Sequence, residues 1–87
     1  MDIETTNRLK RCFLTVFPEI NPDEIDKASN ETVAEWDSLS TVSLVALIEE
    51  EFKIEFEMED IVNFTSFKFI HVCTLKMMLK VTEPLNG

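Results

Sequence analysis

The chain contains a single glycine, Gly87, and its three prolines stand at positions 18, 22 and 84. Tight strand-to-strand turns lean on glycine for backbone conformations with positive φ, so a chain with this content suits helices joined by loops. With 45% hydrophobic residues it has the means to build a core and is no candidate for disorder. Its 87 residues are expected to form one domain over positions 1–87. A fold of that length buries only about 60–65% of its unfolded surface, which leaves little room for an enclosed active site. Chemistry is therefore expected on the outside.

The apolar pattern divides the chain. Ile3, Leu9, Cys12, Phe13, Val16 and Phe17 recur at three- and four-residue spacing until Pro18 stops them, which predicts a helix over 3–17. Residues 18–36 break the pattern. Asn21, Pro22, Asp23, Ser29 and Asn30 supply turn chemistry there, and Ile20, Ile25 and Val33 are occasional apolar anchors, so a long, partly packed loop without regular structure is expected. Loops of that length in so small a domain are often functional. Asp37 is a good N-cap, and Leu39, Val42, Leu44, Val45, Leu47, Ile48 and Phe52 then trace a helix over 38–52. Its spacing assigns Leu44, Ile48 and Phe52 to the core.

Phe52, Ile54, Phe56 and Met58 alternate with Lys53, Glu55 and Glu57, the period of a strand. No second strand follows to pair with it, so an extended connection with Ile54 and Phe56 turned inward is the better reading. A short helix over 57–63 would bury Ile61, and Thr65 or Ser66 would cap a last helix over 66–80. That helix is apolar on more than one face, from Phe67 through Val81. Its surplus is either scattered surface side chains or a contact with another molecule, and a monomer is expected.

Charge narrows the function. The net charge is −9, and the chain would be repelled by nucleic-acid backbones and anionic membranes. Between residues 19 and 60 there are 14 acids against Lys27 and Lys53, whereas the two ends together hold 3 acids and 6 bases. Such a concentration favours a docking surface for basic partners. Glu49, Glu50 and Glu51 close the second helix at the wrong end of its dipole, either as a solvated last turn or as acids kept for use. The start MDIETTNRLK has no apolar run behind a basic stretch, and no window is long enough for a membrane span, so the expected location is the cytoplasm. Cys12 and Cys73, far apart and without CxxC spacing, read as free, packed thiols.

The segment Trp36, Asp37, Ser38, Leu39, followed by Val42, Leu44, Val45, Ile48 and the Glu49–Glu50–Glu51–Phe52 ending, resembles the attachment region of the acyl carrier proteins. An Asp-Ser-Leu step opens the second helix, that helix ends in acids, and an extended loop, a short third helix and a fourth follow, so the resemblance runs from about residue 3 to residue 80. It implies an all-α fold, a four-helix bundle with three longer helices, one short helix and a long loop between helices one and two. It also implies a 4'-phosphopantetheine arm joined covalently to Ser38 by a phosphopantetheinyl transferase, with Asp37 and Leu39 beside the attachment point. Acyl-loading and acyl-processing enzymes with basic docking surfaces would be the partners, meeting Val42, Val45, Glu49, Glu50 and Glu51. The protein itself would be no enzyme.

Two departures from the fatty-acid-synthesis members of that family stand out. Their acids two and five residues after the attachment serine are replaced by Ser40 and Ser43, and Trp36 precedes Asp37 as in stand-alone, polyketide and peptide-synthesis carriers. Rim charges set partner choice more than chemistry, so a specialised pathway is expected, with fatty acyl, polyketide and aminoacyl or peptidyl cargo all open. Independently of family, a serine in the first turn of a helix after a long loop is exposed, and free N–H groups there favour a phosphodiester. No general base lies near it in sequence, since His71 is far down the last helix. One histidine and two distant cysteines give no zinc spacing, and the acids lack the pattern of a calcium loop, so no metal site is expected. Met77 and Met78 read as packing. The competing reading is an acidic helical adaptor that binds a basic surface without a cofactor.

Overall fold

The computed structural model describes residues 3–82. Four α-helices follow in order: α1 (Ile3–Val16), α2 (Ser38–Phe52), α3 (Met58–Ile61) and α4 (Phe67–Thr82), with a 3-10 helix at Pro22–Lys27 between α1 and α2. The fold is all-α, and among the described residues the only strand-like pairing is an isolated antiparallel bridge between Ser29 and Ser66. Pro84 and Gly87, expected to bound the last helix, lie outside the described residues.

The three longer helices turn their apolar stripes to one core, and the short α3 adds only the partly buried Ile61. Leu9, Cys12 and Phe13 of α1 meet Leu44, Val45, Ile48 and Phe52 of α2 and Phe67, Ile70, Cys73 and Met77 of α4. Aromatic rings fill its centre: Phe13 stands edge-on to Trp36 at 5.5 Å and to Phe67 at 4.9 Å, and Phe17 stacks on Trp36 at 5.4 Å. Burying such a ring contributes about 1.5–3 kcal/mol relative to exposure, so this cluster is a large share of the core's stabilisation. Cys12 and Cys73 are free and buried, and burial pushes both thiols up from their ordinary pKa, so neither is a ready nucleophile.

The connection over 18–36 is more ordered than its composition predicts. Asn21 caps the 3-10 helix by accepting the Asp23 N–H at 3.0 Å, Pro22 presets the first turn, and Ile25 sinks fully into the core. The far end of the connection is pinned to the start of α4, where Phe67 donates its N–H to Ala28 at 3.0 Å and Asn30 donates to Thr65 at 2.9 Å. Turn residues announce a loop in sequence; the distant carbonyls that hold it do not show there.

The end of α2 is also built differently from expectation. Arg8 of α1 donates to the Glu51 carboxylate at 2.7 Å and to the Glu51 carbonyl at 2.8 Å, and its guanidinium lies 4.6 Å from the centre of the Phe52 ring. One cation thus neutralises an acid at the unfavourable end of the dipole and satisfies a carbonyl the helix leaves free. Glu49 accepts the Phe56 N–H at 2.9 Å and so anchors the extended link in which Ile54 and Phe56 are buried. Lys53, with φ 58°, makes the left-handed exit from α2. The third helix is a single turn over Met58–Ile61, shorter than the 57–63 segment read from sequence, and Ser66 caps α4 by accepting the Phe69 N–H at 3.2 Å.

Candidate functional site

The junction of the long connection with α2 places Trp36, Asp37 and Ser38 in three different environments. Trp36 is 6% exposed and locked between Phe13 and Phe17. Asp37 is the extended N-cap, and Ser38 is the first residue of α2, exposed to solvent. A buried ring therefore anchors the chain immediately before the serine, so the serine emerges from a fixed point.

A reciprocal cap fixes the turn itself. The Asp37 carboxylate accepts the Ser40 N–H at 2.9 Å, and the Ser40 hydroxyl accepts the Asp37 N–H at 2.8 Å. The Ser40 hydroxyl also has a proton to give, and the Glu35 carbonyl lies 2.9 Å from it. A carboxylate at position 40 would accept from Asp37 but would have nothing to donate to Glu35. This gives Ser40, read from sequence only as a missing acid, a structural job: it ties the chain before the serine to the helix after it. The Ser40 N–H, in first place, holds the Asp37 carboxyl below its ordinary pKa. Thr41 completes the turn by donating its hydroxyl to the Asp37 carbonyl at 2.8 Å.

A groove of about 350 Å³ opens beside Ser38, walled by Trp36, Thr41 and Val42 on one side and by Ile61, Val62 and Phe64 on the other. Val42 and Val62 are 65% and 69% exposed. Leu39, 79% exposed, turns the opposite way, over a shallow depression it shares with Ser43 and Leu47. The Trp36 Nε1 is buried and is the one such side-chain polar atom without a hydrogen-bond partner among the described residues.

Other residues singled out in sequence go elsewhere. Val45, read as a docking residue, is only 8% exposed and belongs to the core; at roughly 100° per residue it shares the stripe of Leu44, Ile48 and Phe52, while Val42 sits about 60° further round. Glu49 and Glu51 hold the fold together as described, which leaves Glu50 as the exposed acid of the three that makes neither of those contacts. His71 of α4 faces α1, with its Nε2 3.4 Å from the Thr6 hydroxyl and its ring against Phe67. Among the described residues no cluster of histidine, cysteine or carboxylate side chains could hold a metal ion, and no helix is long and apolar enough to cross a membrane.

Residues 7–68 match the family described as phosphopantetheine attachment site. The chain belongs to that family. It is thus a phosphopantetheine-bearing carrier, of a family whose members hold the prosthetic group covalently, work with a phosphopantetheinyl transferase and with biosynthetic enzymes, and do no catalysis themselves. No curated protein and no solved structure is significantly similar to the chain. The residues present in this carrier fit the group: an exposed serine opens a 15-residue helix, and an apolar groove begins at that serine.

What sequence reasoning missed in the carrier is the support beneath the serine. The Asp37-to-Ser40 spacing is a variant of the capping box, with serine in place of Glu or Gln, and that signal was legible. The pairing of residues 28–30 with 65–67 was not, because nothing local to either segment names the other.

Proposed function

We propose that Ser38 is the attachment residue and that the chain carries acyl intermediates as thioesters on the arm, presenting them to successive enzymes of fatty acid, polyketide or related biosynthesis in the cytoplasm. The observation that carries this reading is the position of Ser38: exposed, at the first turn of α2, and held between a buried tryptophan and a reciprocal cap. A transferase needs a hydroxyl it can reach on a backbone that does not move, and this turn supplies both. Activation of the hydroxyl falls to the transferase, since the chain's one histidine is committed to the α1–α4 interface.

Leu39, Val42 and Glu50 are the side chains that α2 offers to partners, all three exposed. Apolar contacts of this kind supply affinity, and the acids between residues 19 and 60 steer basic surfaces toward them. Asp37 serves as cap and as the acid the transferase meets next to its substrate hydroxyl.

The test is intact mass after incubation with coenzyme A, magnesium and a broad-specificity phosphopantetheinyl transferase. The native chain gains about 340 Da, and Ser38→Ala, folded by circular dichroism, gains nothing. A gain on the Ser38→Ala chain would move the attachment to another hydroxyl.

A further inference from the structure

The back of α4 differs in composition from the acidic middle of the chain. At roughly 100° per residue, Lys68, Val72, Leu75 and Leu79 fall within an arc of about 60°, opposite the buried Phe67, Ile70, Cys73 and Met77. Val72 is 61% exposed and Leu79 69%, and Leu75 is half-buried. An apolar ridge about 16 Å long, three helical turns, thus faces solvent from Lys68 to Leu79. None of the 16 residues of α4 is a carboxylate, in a chain with 17 acids and 8 bases. Lys76 edges the ridge, its side chain 58% exposed even with the Asp60 carboxylate 3.9 Å away. At the start of the ridge a pocket of about 250 Å³ is lined by Lys27 and Lys68, together with Asp26, Ser29 and Ser66. Lys27 belongs to the 3-10 helix, so two cations far apart in sequence share that pocket.

We propose that the back of α4 is a second docking surface, and that its occupant is a helix of a partner protein with an apolar stripe edged by carboxylates. The stripe would lie along Val72, Leu75 and Leu79, while one carboxylate enters the Lys27–Lys68 pocket and another meets Lys76. Charge selects this occupant. Pairing α4 with α4 of a second copy offers no carboxylate to either ridge. A flat anionic membrane would meet Asp26 and Asp60 along with the lysines, whereas a single helix touches only the strip on which it lies. Screening over about 8 Å at physiological salt lets these local bases act despite the net charge of −9. None of the residues lining the groove at Ser38 belongs to α4, so the two surfaces can be occupied together. A partner held on α4 keeps the carrier close while other enzymes work at the arm, which raises the effective concentration of the carried group.

The probe is a stapled three-turn helical peptide with leucines on one face and glutamates along both edges of that face, titrated into the ¹⁵N-labelled chain. The expected result is a saturable displacement of the Lys68, Val72, Leu75, Lys76 and Leu79 amide resonances, with those of Ser38 and Val42 unmoved. Val72→Glu and Lys68→Glu, both at exposed positions and shown to be folded by circular dichroism, should each weaken binding about tenfold. The same peptide with lysines in place of glutamates should leave α4 unmoved. No displacement at α4, an equal response to both peptides, or variants that bind like the native chain overturns the proposal. Concentration-dependent sedimentation of the native chain that Val72→Glu abolishes also overturns it, and gives the ridge to a second copy. Co-sedimentation with phosphatidylglycerol vesicles that the same variant abolishes overturns it too, and gives the ridge to a membrane.

Discussion

The two sides of Trp36 differ more than any other neighbouring parts of the molecule. On its core side, Phe13, Phe17 and Phe67 interlock in tilted, edge-on and stacked contacts. On its other side, Val42 and Val62 are left exposed at a groove that begins at Ser38, and Leu39 is exposed on the opposite face of the same turn. Both regions are apolar, so hydrophobicity does not distinguish them; packing does. The first is complete without a partner, and the second has the composition of an interface with half its contacts missing.

Breaking the filled side should cost most. Phe13→Ala removes a fully buried ring that touches three aromatic neighbours, and a loss of about 3–5 kcal/mol is expected, measurable as a lower urea midpoint. A loss below about 1 kcal/mol would show that the aromatic cluster is not what holds the helices together. Val42→Asp on the open side should change stability by less than about 0.5 kcal/mol, because the residue is 65% exposed. The ratio of those two effects measures the contrast directly.

The cap between the two regions should fall in the middle. Ser40→Ala removes the acceptor for the Asp37 N–H and the donor to Glu35, with an expected cost of about 1 kcal/mol and slower transfer of the arm onto Ser38. Ser40→Glu restores the acceptor without the donor and should recover part of the stability only. Full recovery would show that the Glu35 contact contributes nothing.

Acid should weaken the two regions in sequence. Burial, with a smaller push from Lys10, lowers the pKa of His71, which reaches Thr6 of α1 and lies against Phe67 of its own helix. The folded chain therefore binds fewer protons than the unfolded one just below the ordinary histidine pKa of about 6.5, and stability drops as pH falls through that window. Asp37, whose pKa is also lowered, adds its loss only below the ordinary carboxylate value of about 4. Urea midpoints of the native, His71→Gln and Asp37→Asn chains separate the two windows, each variant lacking one step. Salt should have the smallest effect and the opposite sign. With 14 acids against two bases between residues 19 and 60, screening should raise the melting temperature at neutral pH, and a flat or falling response would remove self-repulsion from the account.

Much of this protein follows from sequence alone, because the signals are local. The absence of internal glycine, the apolar spacing of α1, α2 and α4, and the cap at Asp37 each act over a few residues and specify helices and their starts. The serine that opens α2 is legible for the same reason, and so is the burial of Ile54 and Phe56 in the extended link. Charge counts along the chain do not show which acids the fold also holds: of the three acids ending α2, Glu49 serves Phe56 and Glu51 serves Arg8, and neither partner is a neighbour in sequence. Val45 illustrates the same limit, since one helix pattern fits a wide or a narrow apolar stripe equally well until its neighbours are in place. Only the tertiary structure decided which acids were already spent, where the long connection is tied down, and that an indole before the serine would be left with a donor and a groove at its edge. Those outcomes depend on groups brought together from distant positions, and no spacing rule along the chain encodes such meetings.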